Sequence, residues 1–430
     1  MSGTGRQAWS GDGTATPLYS ALFLTAAALI LTRIGLNGRV LDLVINYTAE
    51  GGTIVEKIHP AFWGLFAVAL VTFATVRVAL DAWELRVVRA LMAFCAVASA
   101  LLIVAGLSGR SSSVGYLLDS YITLIVLAML FAFPAAWRRG LGHVLLGYVV
   151  LSALVGIAEF LLKVRLMPFS ESESVFRPTG LTSHPLELGL WCTTGLGFVA
   201  ASDWRPLGRA AAAAILVVGC VASGARLATM VTGACAAGLL IHGAGAGLPP
   251  ERRRQRRLLA GLGVVLLAPV LLAILAAAGA LGRFGGGIAD ENAMARVDVY
   301  GVFRFLSWGE ILVGTDITAV LKIVNERFGL PFIESSFVVF VVQFGLIGAA
   351  LFLGMLARLM RVLVAGSPGS VVMAVVAFFA VALSNNGLST KTTSMFLIVS
   401  LAIAFHPPHP LASRNSLAPK NPLAPRSGAA

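Results

Sequence analysis

"IESSFVVFVVQFGLIG", residues 333–348, places a carboxylate and two hydroxyls directly before a run apolar enough to enter a membrane. An acid followed by Ser-Ser is a helix-start signal. Such side chains satisfy the free N–H groups of a first turn and oppose the positive end of the helix dipole. The run continues as "AALFLGMLARLMRVL", long enough for the roughly 20 residues that one bilayer crossing takes. Glu334 therefore stands at the mouth of a span, where it is either a cap alone or a cap with a further role.

The rest of the chain repeats this theme. Of 430 residues 58% are hydrophobic and 12% charged, with a mean hydropathy of +0.88. Soluble domains carry roughly 25% charged residues, so the composition indicates an integral membrane protein of the all-α class. About twelve candidate spans begin near Leu18, Ala61, Ala90, Val114, Leu141, Leu186, Ala210, Leu227, Leu258, Phe337, Val371 and Met395. The first is expected to stay in place as a span, because no processed secreted domain follows it. A polytopic domain is expected over residues 1–406 and a disordered cytoplasmic tail, rich in Pro, Ser and Ala, over 407–430. Cys95, Cys192, Cys220 and Cys235 all fall in apolar segments and read as small core residues. No nucleotide-binding loop is present and no helix carries a histidine pair at metal spacing, so neither ATP hydrolysis nor a metal centre is expected.

Charge sorts the connecting segments. "RVALDAWELRVVR", "WRRG", "DWRPLGR", "PPERRRQRR" and "ARLMR" hold a large excess of Arg, while the alternate set is close to neutral. Positive loops stay inside, which puts the basic set and both termini on the cytoplasmic side of a multi-pass protein. "ERRRQRR" then reads as a topology anchor beside anionic lipid, with no nucleic acid as partner. The outward set contains two long segments, near residues 163–185 and 282–334. The second is expected to be a large outward-facing loop with short amphipathic helices, one of them across "ENAMARVDVYGVFRFLSWGEIL".

Ionisable residues in or beside spans are costly and commonly functional. On the outward side stand Asp119, Glu159, Arg177, His184, Glu187, Arg226, Arg296, Arg304 and Glu334, which together indicate a polar cavity open to the exterior. "VFRPTGLTSHPLELG" is a structured loop with an interfacial arginine, or a phosphate or sugar contact through Arg177 and His184. "SGAR", with Ser223 and Arg226, is a small-residue turn suited to an anion, or an interfacial anchor. Arg296 and Arg304 share a face if their segment is helical, unless one pairs with Asp298 or Glu310. "SNNGLSTKTTS", with Asn385, Asn386 and Lys391, is a polar turn or a sugar-binding loop.

The order of these stretches resembles the O-antigen ligase and Wzy-type polysaccharide polymerase superfamily, and the N-terminal "GGTIVEKIHPAFW" is similar to its VpsF-like exopolysaccharide polymerases. "RPTGLTSHPLELG" resembles the family's Arg-x-x-Gly segment, with Leu186 in place of an Asn, and "SGAR" its Ser-x-x-Arg turn. "ARVDVYGVFRFLSWGEILVGTDI" is similar to the opening of the large loop, with Gly314 retained. Glu334 and Ser335 precede Gly345 and Gly348 at the ligase spacing, but Glu334 replaces the ligase histidine, which favours a polymerase over a ligase.

The resemblance implies a membrane glycosyltransferase of the bacterial inner membrane that joins repeat units carried on undecaprenyl pyrophosphate at the periplasmic face. It would work beside a flippase and a chain-length regulator, without a cofactor. Arginine suits the leaving diphosphate, because its planar fork bonds phosphate oxygens bidentately and keeps its charge. Arg226 and Arg296 are expected in that catalytic role, with Arg177, Arg304, His184, Ser223 and Ser335 binding substrate. Glu334 is expected to accept the acceptor's proton. A glutamate with its ordinary pKa of about 4.3 is a weak base, and dehydration at the head of a span strengthens such a group. A ligase, or a lipid-linked sugar flippase, is the alternative reading.

Overall fold

The computed structural model describes residues 17–48, 53, 55–109, 115–167, 169, 175–243, 249–277 and 297–407. Among these the regular structure is entirely helical. In chain order the helices are α1 (Pro17–Gly35), α2 (Gly38–Leu41), α3 (Pro60–Thr75), α4 (Ala82–Leu107), α5 (Ala135–Leu162), α6 (Pro185–Ala201) and α7 (Pro206–Ala222). They continue with α8 (Arg226–Gly243), α9 (Pro250–Ala277), α10 (Trp308–Val313), α11 (Ile317–Phe328), α12 (Ser336–Leu363), α13 (Gly369–Leu383) and α14 (Ser394–Phe405). Between α4 and α5, Leu117–Ala132 forms a π-helical turn that runs into a tight 3-10 stretch.

Four helices, α1, α4, α5 and α12, are long and apolar enough to cross a membrane. Shorter apolar helices, such as α3, α7, α13 and α14, accompany them. A membrane protein follows from this pattern.

Local chemistry explains the starts. α3, α6, α7 and α9 each begin on proline, whose missing N–H is one that a first turn could not have bonded within the helix. Asp81 caps α4 by accepting from Trp83 N and Glu84 N, and Glu84 returns the favour by accepting from Asp81 N. This box moves the start of α4 upstream of the expected Ala90. Likewise α5 and α9 start before Leu141 and Leu258, so "WELRVVR", "WRRG" and "ERRRQRR" lie on helices and not in loops. Most of their long side chains extend along the helix surface with the charge in water, whereas Glu84 and Arg138 are buried as a pair.

The centre is built from α6 and α14. Every residue of α14 is buried, as is the run from Glu187 to Val199 of α6. Gly189 lies against Ala225 and Ala228, and Gly197 against Ser370 and Ala374. The start of α6 thus meets the start of α8, and its end meets the start of α13.

Two ends of the bundle follow. At one, Asn37 bonds Leu181 O, Tyr121 bonds Leu388 O, and Ser394 bonds Glu187. At the other, Trp83 Nε1 donates to Val362 O at 3.0 Å and its ring stacks on His406, the centroids 3.4 Å apart. There Arg138 pairs with Glu84, and Arg139 with Asp203.

The expected amphipathic helices of the large loop are present in part. Residues 291–296 lie outside the described residues, Val299–Phe305 is 3-10 and not part of one long helix, and Ser307 opens α10 with its own capping box. α11 is amphipathic: Val320 and Val324 are buried against Val299, Val302, Ile333 and Val338. The expected tail, from residue 408 on, also lies outside the described residues.

Candidate functional site

The first end gathers segments that are far apart in sequence, and it does so through backbone groups. Glu159, near the end of α5, accepts from Thr179 N and Gly180 N at 2.8 Å each and from Leu166 N at 2.7 Å. Gly180 sits at φ +56°, and a Cβ there would lie 2.4 Å from Ser152 O. The Pro-Thr-Gly turn is thereby folded onto α5. It carries Arg177 inward, buried, with Nε donating to Ser223 O at 3.1 Å. Arg165 in turn donates to Arg177 O, and its guanidinium lies over Phe169 and Phe176.

The loop then hands over to α6. His184 caps that helix, Nδ1 accepting from Leu186 N at 3.1 Å. Ser183 and Ser394 donate to the two oxygens of Glu187, at 2.7 and 3.0 Å. Trp191 Nε1 completes the chain by donating to Ser394 Oγ.

Beside this lies a second, deeper cluster. Asp119 is fully buried and accepts from Arg33 Nη2 at 2.7 Å, from His59 N at 2.8 Å and from the Tyr47 hydroxyl. It fixes the segment between α2 and α3 onto the bundle. Lys391 fixes it from above, donating to Tyr47 O at 2.7 Å and Lys57 O at 3.0 Å. Burial pulls the Lys391 ammonium down to about 8. Burial, with the Arg33 charge behind it, pulls His59 down to about 4. The hydrogen bonds agree: His59 Nδ1 accepts from Ala61 N, while Nε2 faces Leu36 O at 2.9 Å, as a neutral ring carrying its proton on Nε2 requires. Burial and the Asp119 carboxylate push the Tyr47 phenol well above its usual range. A small crevice between the two clusters is lined by Asn37, Tyr47, Ser183, Glu187, Lys391 and Thr392 among others.

The third component is the start of α12. Ser335, not Glu334, is its N-cap, accepting from Val338 N. Tyr300 OH lies 3.2 Å from Ser335 Oγ. Ser336 donates to Asn385 O and accepts from Leu388 N, which joins α12 to the segment after α13. Further along, Gly345 breaks the helix at φ +71°. A Cβ on Gly345 would lie 2.1 Å from Leu312 O, and one on Gly314 2.6 Å from Gln343 O. The two glycines are therefore where the α10 segment crosses the backbone of α12, with Thr315 N donating to Val342 O at 2.6 Å. Their place in the sequence pattern has a steric cause.

The structure treats the expected site residues unequally. It joins Arg177 to Ser223 and places His184 beside them at the start of α6. Arg226, half-buried, opens α8 at the same end. Glu334 is half-buried next to the capping serine, and Arg304 is exposed on the 3-10 segment. Arg296 lies outside the described residues.

Two expectations about substrate contact change. The Ser223 hydroxyl is fully buried, donating to Cys220 O at 2.6 Å and accepting from Ala225 N, so it builds the turn. The Ser335 hydroxyl is buried and used as a cap. Asp119, Glu159 and Glu187 are engaged by the protein's own groups, and of the three Glu187 also lines the small crevice. Arg33, Tyr47 and His59 join the cluster without having been singled out in the sequence. Arg33 had a signal, a lone charge in an apolar run.

All four cysteines are buried and free, as read. Comparison with protein-family models, with curated proteins and with solved structures finds no match.

Proposed function

We propose that the chain is a twelve-pass bacterial inner-membrane glycosyltransferase of the Wzy polymerase type, with both termini in the cytoplasm. It lengthens a polysaccharide from repeat units carried on undecaprenyl pyrophosphate. The end holding Arg177, Arg226 and Glu334 faces the periplasm, and the end holding Trp83 and His406 faces the cytoplasm. The assignment rests on the lower positive charge of the segments at the first end.

One observation carries the reading: the Arg177–Ser223 hydrogen bond joins "RPTG" to "SGAR", 46 positions apart in the sequence. Their order in the sequence is what resembles the polymerases. A substrate that is a diphosphate at one end and a hydroxyl at the other needs cations and a base on the same side of the membrane.

In the proposed reaction an acceptor hydroxyl oxygen attacks the anomeric carbon of the donor sugar. The bond from that carbon to the diphosphate oxygen breaks, and the diphosphate leaves with the electron pair. Arg226 and Arg296 hold the developing charge. Glu334 takes the hydroxyl proton. Arg177 acts as a positioning residue, since its Nε already holds the turn that presents Arg226.

Replacing Arg226 or Glu334 by Ala, with expression checked in the membrane fraction, tests this. Loss of long-chain polysaccharide with accumulation of single repeat units outside the cell membrane is the expected result. Unchanged long chains from a normally expressed double variant would overturn the reading. Repeat units trapped on the cytoplasmic side would indicate a flippase.

A further inference from the structure

Away from the proposed catalytic end, α8 and α9 leave a groove of about 730 Å³ lined by Ile241 on one side and by Pro250, Arg253, Arg254, Arg257, Leu258, Gly261 and Leu262 on the other. Its size falls within the range of ligand pockets, about 300 to 1,000 Å³. The order of side chains along it is not random. Positions 250, 253, 254, 257, 258, 261 and 262 form one stripe of an α-helix. Along that stripe three arginines come first and then a purely apolar stretch.

Arg254 and Arg257 are exposed and Arg253 is half-buried. Arg252 and Arg256 project from the opposite face of the same helix, outside the groove. A basic entrance continuous with an apolar floor matches one kind of molecule, an anion attached to a hydrocarbon chain.

We propose that this groove is a binding site for an anionic phospholipid. The headgroup phosphate is held by Arg253 and Arg257 with Arg254 at the rim, and an acyl chain runs over Leu258, Gly261 and Leu262. Guanidinium groups recognise phosphate by paired N–H donors. A basic pocket between helices on the cytoplasmic side is a setting in which anionic headgroups are retained. Free phosphate would gain nothing from the apolar floor, so the lipid is the ligand. The site lies at the end of the bundle opposite the sugar chemistry, and its test does not depend on that reading.

The experiment uses the full-length protein reconstituted in phosphatidylcholine nanodiscs with and without phosphatidylglycerol, followed by native mass spectrometry of retained lipid. Thermal unfolding in detergent is measured in parallel. Wild type is expected to retain phosphatidylglycerol over phosphatidylcholine and to be protected by it. The R253A/R257A variant should lose roughly tenfold or more in retention. The R252A/R256A variant removes the same charge at the same spacing from the other face and should retain lipid like wild type.

Equal loss in both variants would reduce the effect to net charge and overturn the site. No preference for phosphatidylglycerol in wild type would overturn it too, as would equal protection by inorganic phosphate alone. Unfolding temperatures of both variants without lipid separate a folding defect from lost binding.

Discussion

At the site end, Arg33 Nη2 meets Asp119 Oδ2 at 2.7 Å; at the opposite end, Arg138 Nη2 meets Glu84 Oε1 at 2.6 Å. Both pairs are buried, and both arginines leave Nε and Nη1 without a hydrogen-bond partner among the described residues. The carboxylates differ. Asp119 accepts from three donors in two parts of the chain: α1 through Arg33, and the segment before α3 through the Tyr47 hydroxyl and His59 N. Glu84 serves its own helix cap and the first turn of α5. The same ion pair thus organises a loop layer at one end and pins two helix starts at the other. Buried pairs contribute little net stability in themselves, yet removing one partner is costly, because the other charge stays behind.

The largest expected effect follows from that asymmetry of repair. Asp119→Ala and Glu84→Ala should each cost about 3 to 5 kcal/mol, read as thermal unfolding in detergent. What separates them is where the damage goes. Asp119→Ala should also open α2 and the segment after it to trypsin, at Arg39 and Lys57, while Glu84→Ala should leave both protected. Replacing both partners sharpens the contrast. Arg138→Met with Glu84→Leu should recover most of the loss, but Arg33→Met with Asp119→Leu should not, since Tyr47 OH and His59 N would still lack their acceptor. Equal trypsin sensitivity of the two single variants would remove the distinction drawn here.

Acid should find the same end first. His59 titrates at about 4 when folded against 6.5 as a free side chain. Between those values the unfolded chain binds a proton that the folded chain does not, so stability falls as the pH drops from about 6.5 and levels off near 4. The difference corresponds to about 3 kcal/mol. His59→Gln should flatten the slope in that window. His406 at the opposite end is also held below its ordinary value by burial. It is more accessible, so His406→Gln should change the slope less. A steeper dependence on His406 would reverse the comparison.

Much of the helical framework can be read from residue types, because caps and prolines act locally. The starts of α3 and α6, and the break at Ser223-Gly224-Ala225, stand where the sequence puts them, whereas α7 begins on Pro206, ahead of the expected Ala210 and inside "DWRPLGR". Apolar character alone puts the start of α4 near Ala90, whereas the Asp81–Glu84 box fixes it at Ala82. Glu334 was read as the cap, but the chain is already extended at Ser335, whose shorter side chain reaches Val338 N. The Asp119 cluster was half legible. Asp119 stood out as a charge beside a span, whereas its partner lies 86 positions away. Such pairings are tertiary facts that no local pattern encodes. The meeting of Gly314 and Gly345 is of the same kind: each glycine was visible, and their contact was not.

That contact supplies the next test. Gly345→Ala drives a methyl into Leu312 O, an overlap that the α10 backbone must relieve, and forces alanine to a positive φ, at a cost of about 2 kcal/mol or more. The strain falls on α10 and the break in α12, not on either ion pair. The expected result is a modestly lowered unfolding temperature and easier proteolysis near α10, with the trypsin pattern of the segment between α2 and α3 unchanged. If that segment also opens, the loop layer of the site end is one cooperative unit and not two.

The smallest effect compares single hydrogen bonds at the two ends. Tyr47→Phe removes the hydroxyl that donates to Asp119 but keeps the ring, over which Lys391 Nζ lies 4.6 Å from the centroid. Trp83→Phe removes the donor to Val362 O and part of the stack on His406. A bond to a charged acceptor is worth about 1.5 to 3 kcal/mol and one between neutral groups about 0.5 to 1.5. Hydrogen bonding alone therefore makes Tyr47→Phe the costlier change, whereas lost indole packing works in the other direction. Adding Asp119→Leu with Arg33→Met to each variant tells the two contributions apart. In that background the Tyr47→Phe cost should largely vanish, because its acceptor is gone, and the Trp83→Phe cost should persist undiminished. Persistence of the Tyr47 cost would mean that its ring, and not its bond to the buried carboxylate, is what holds the segment down.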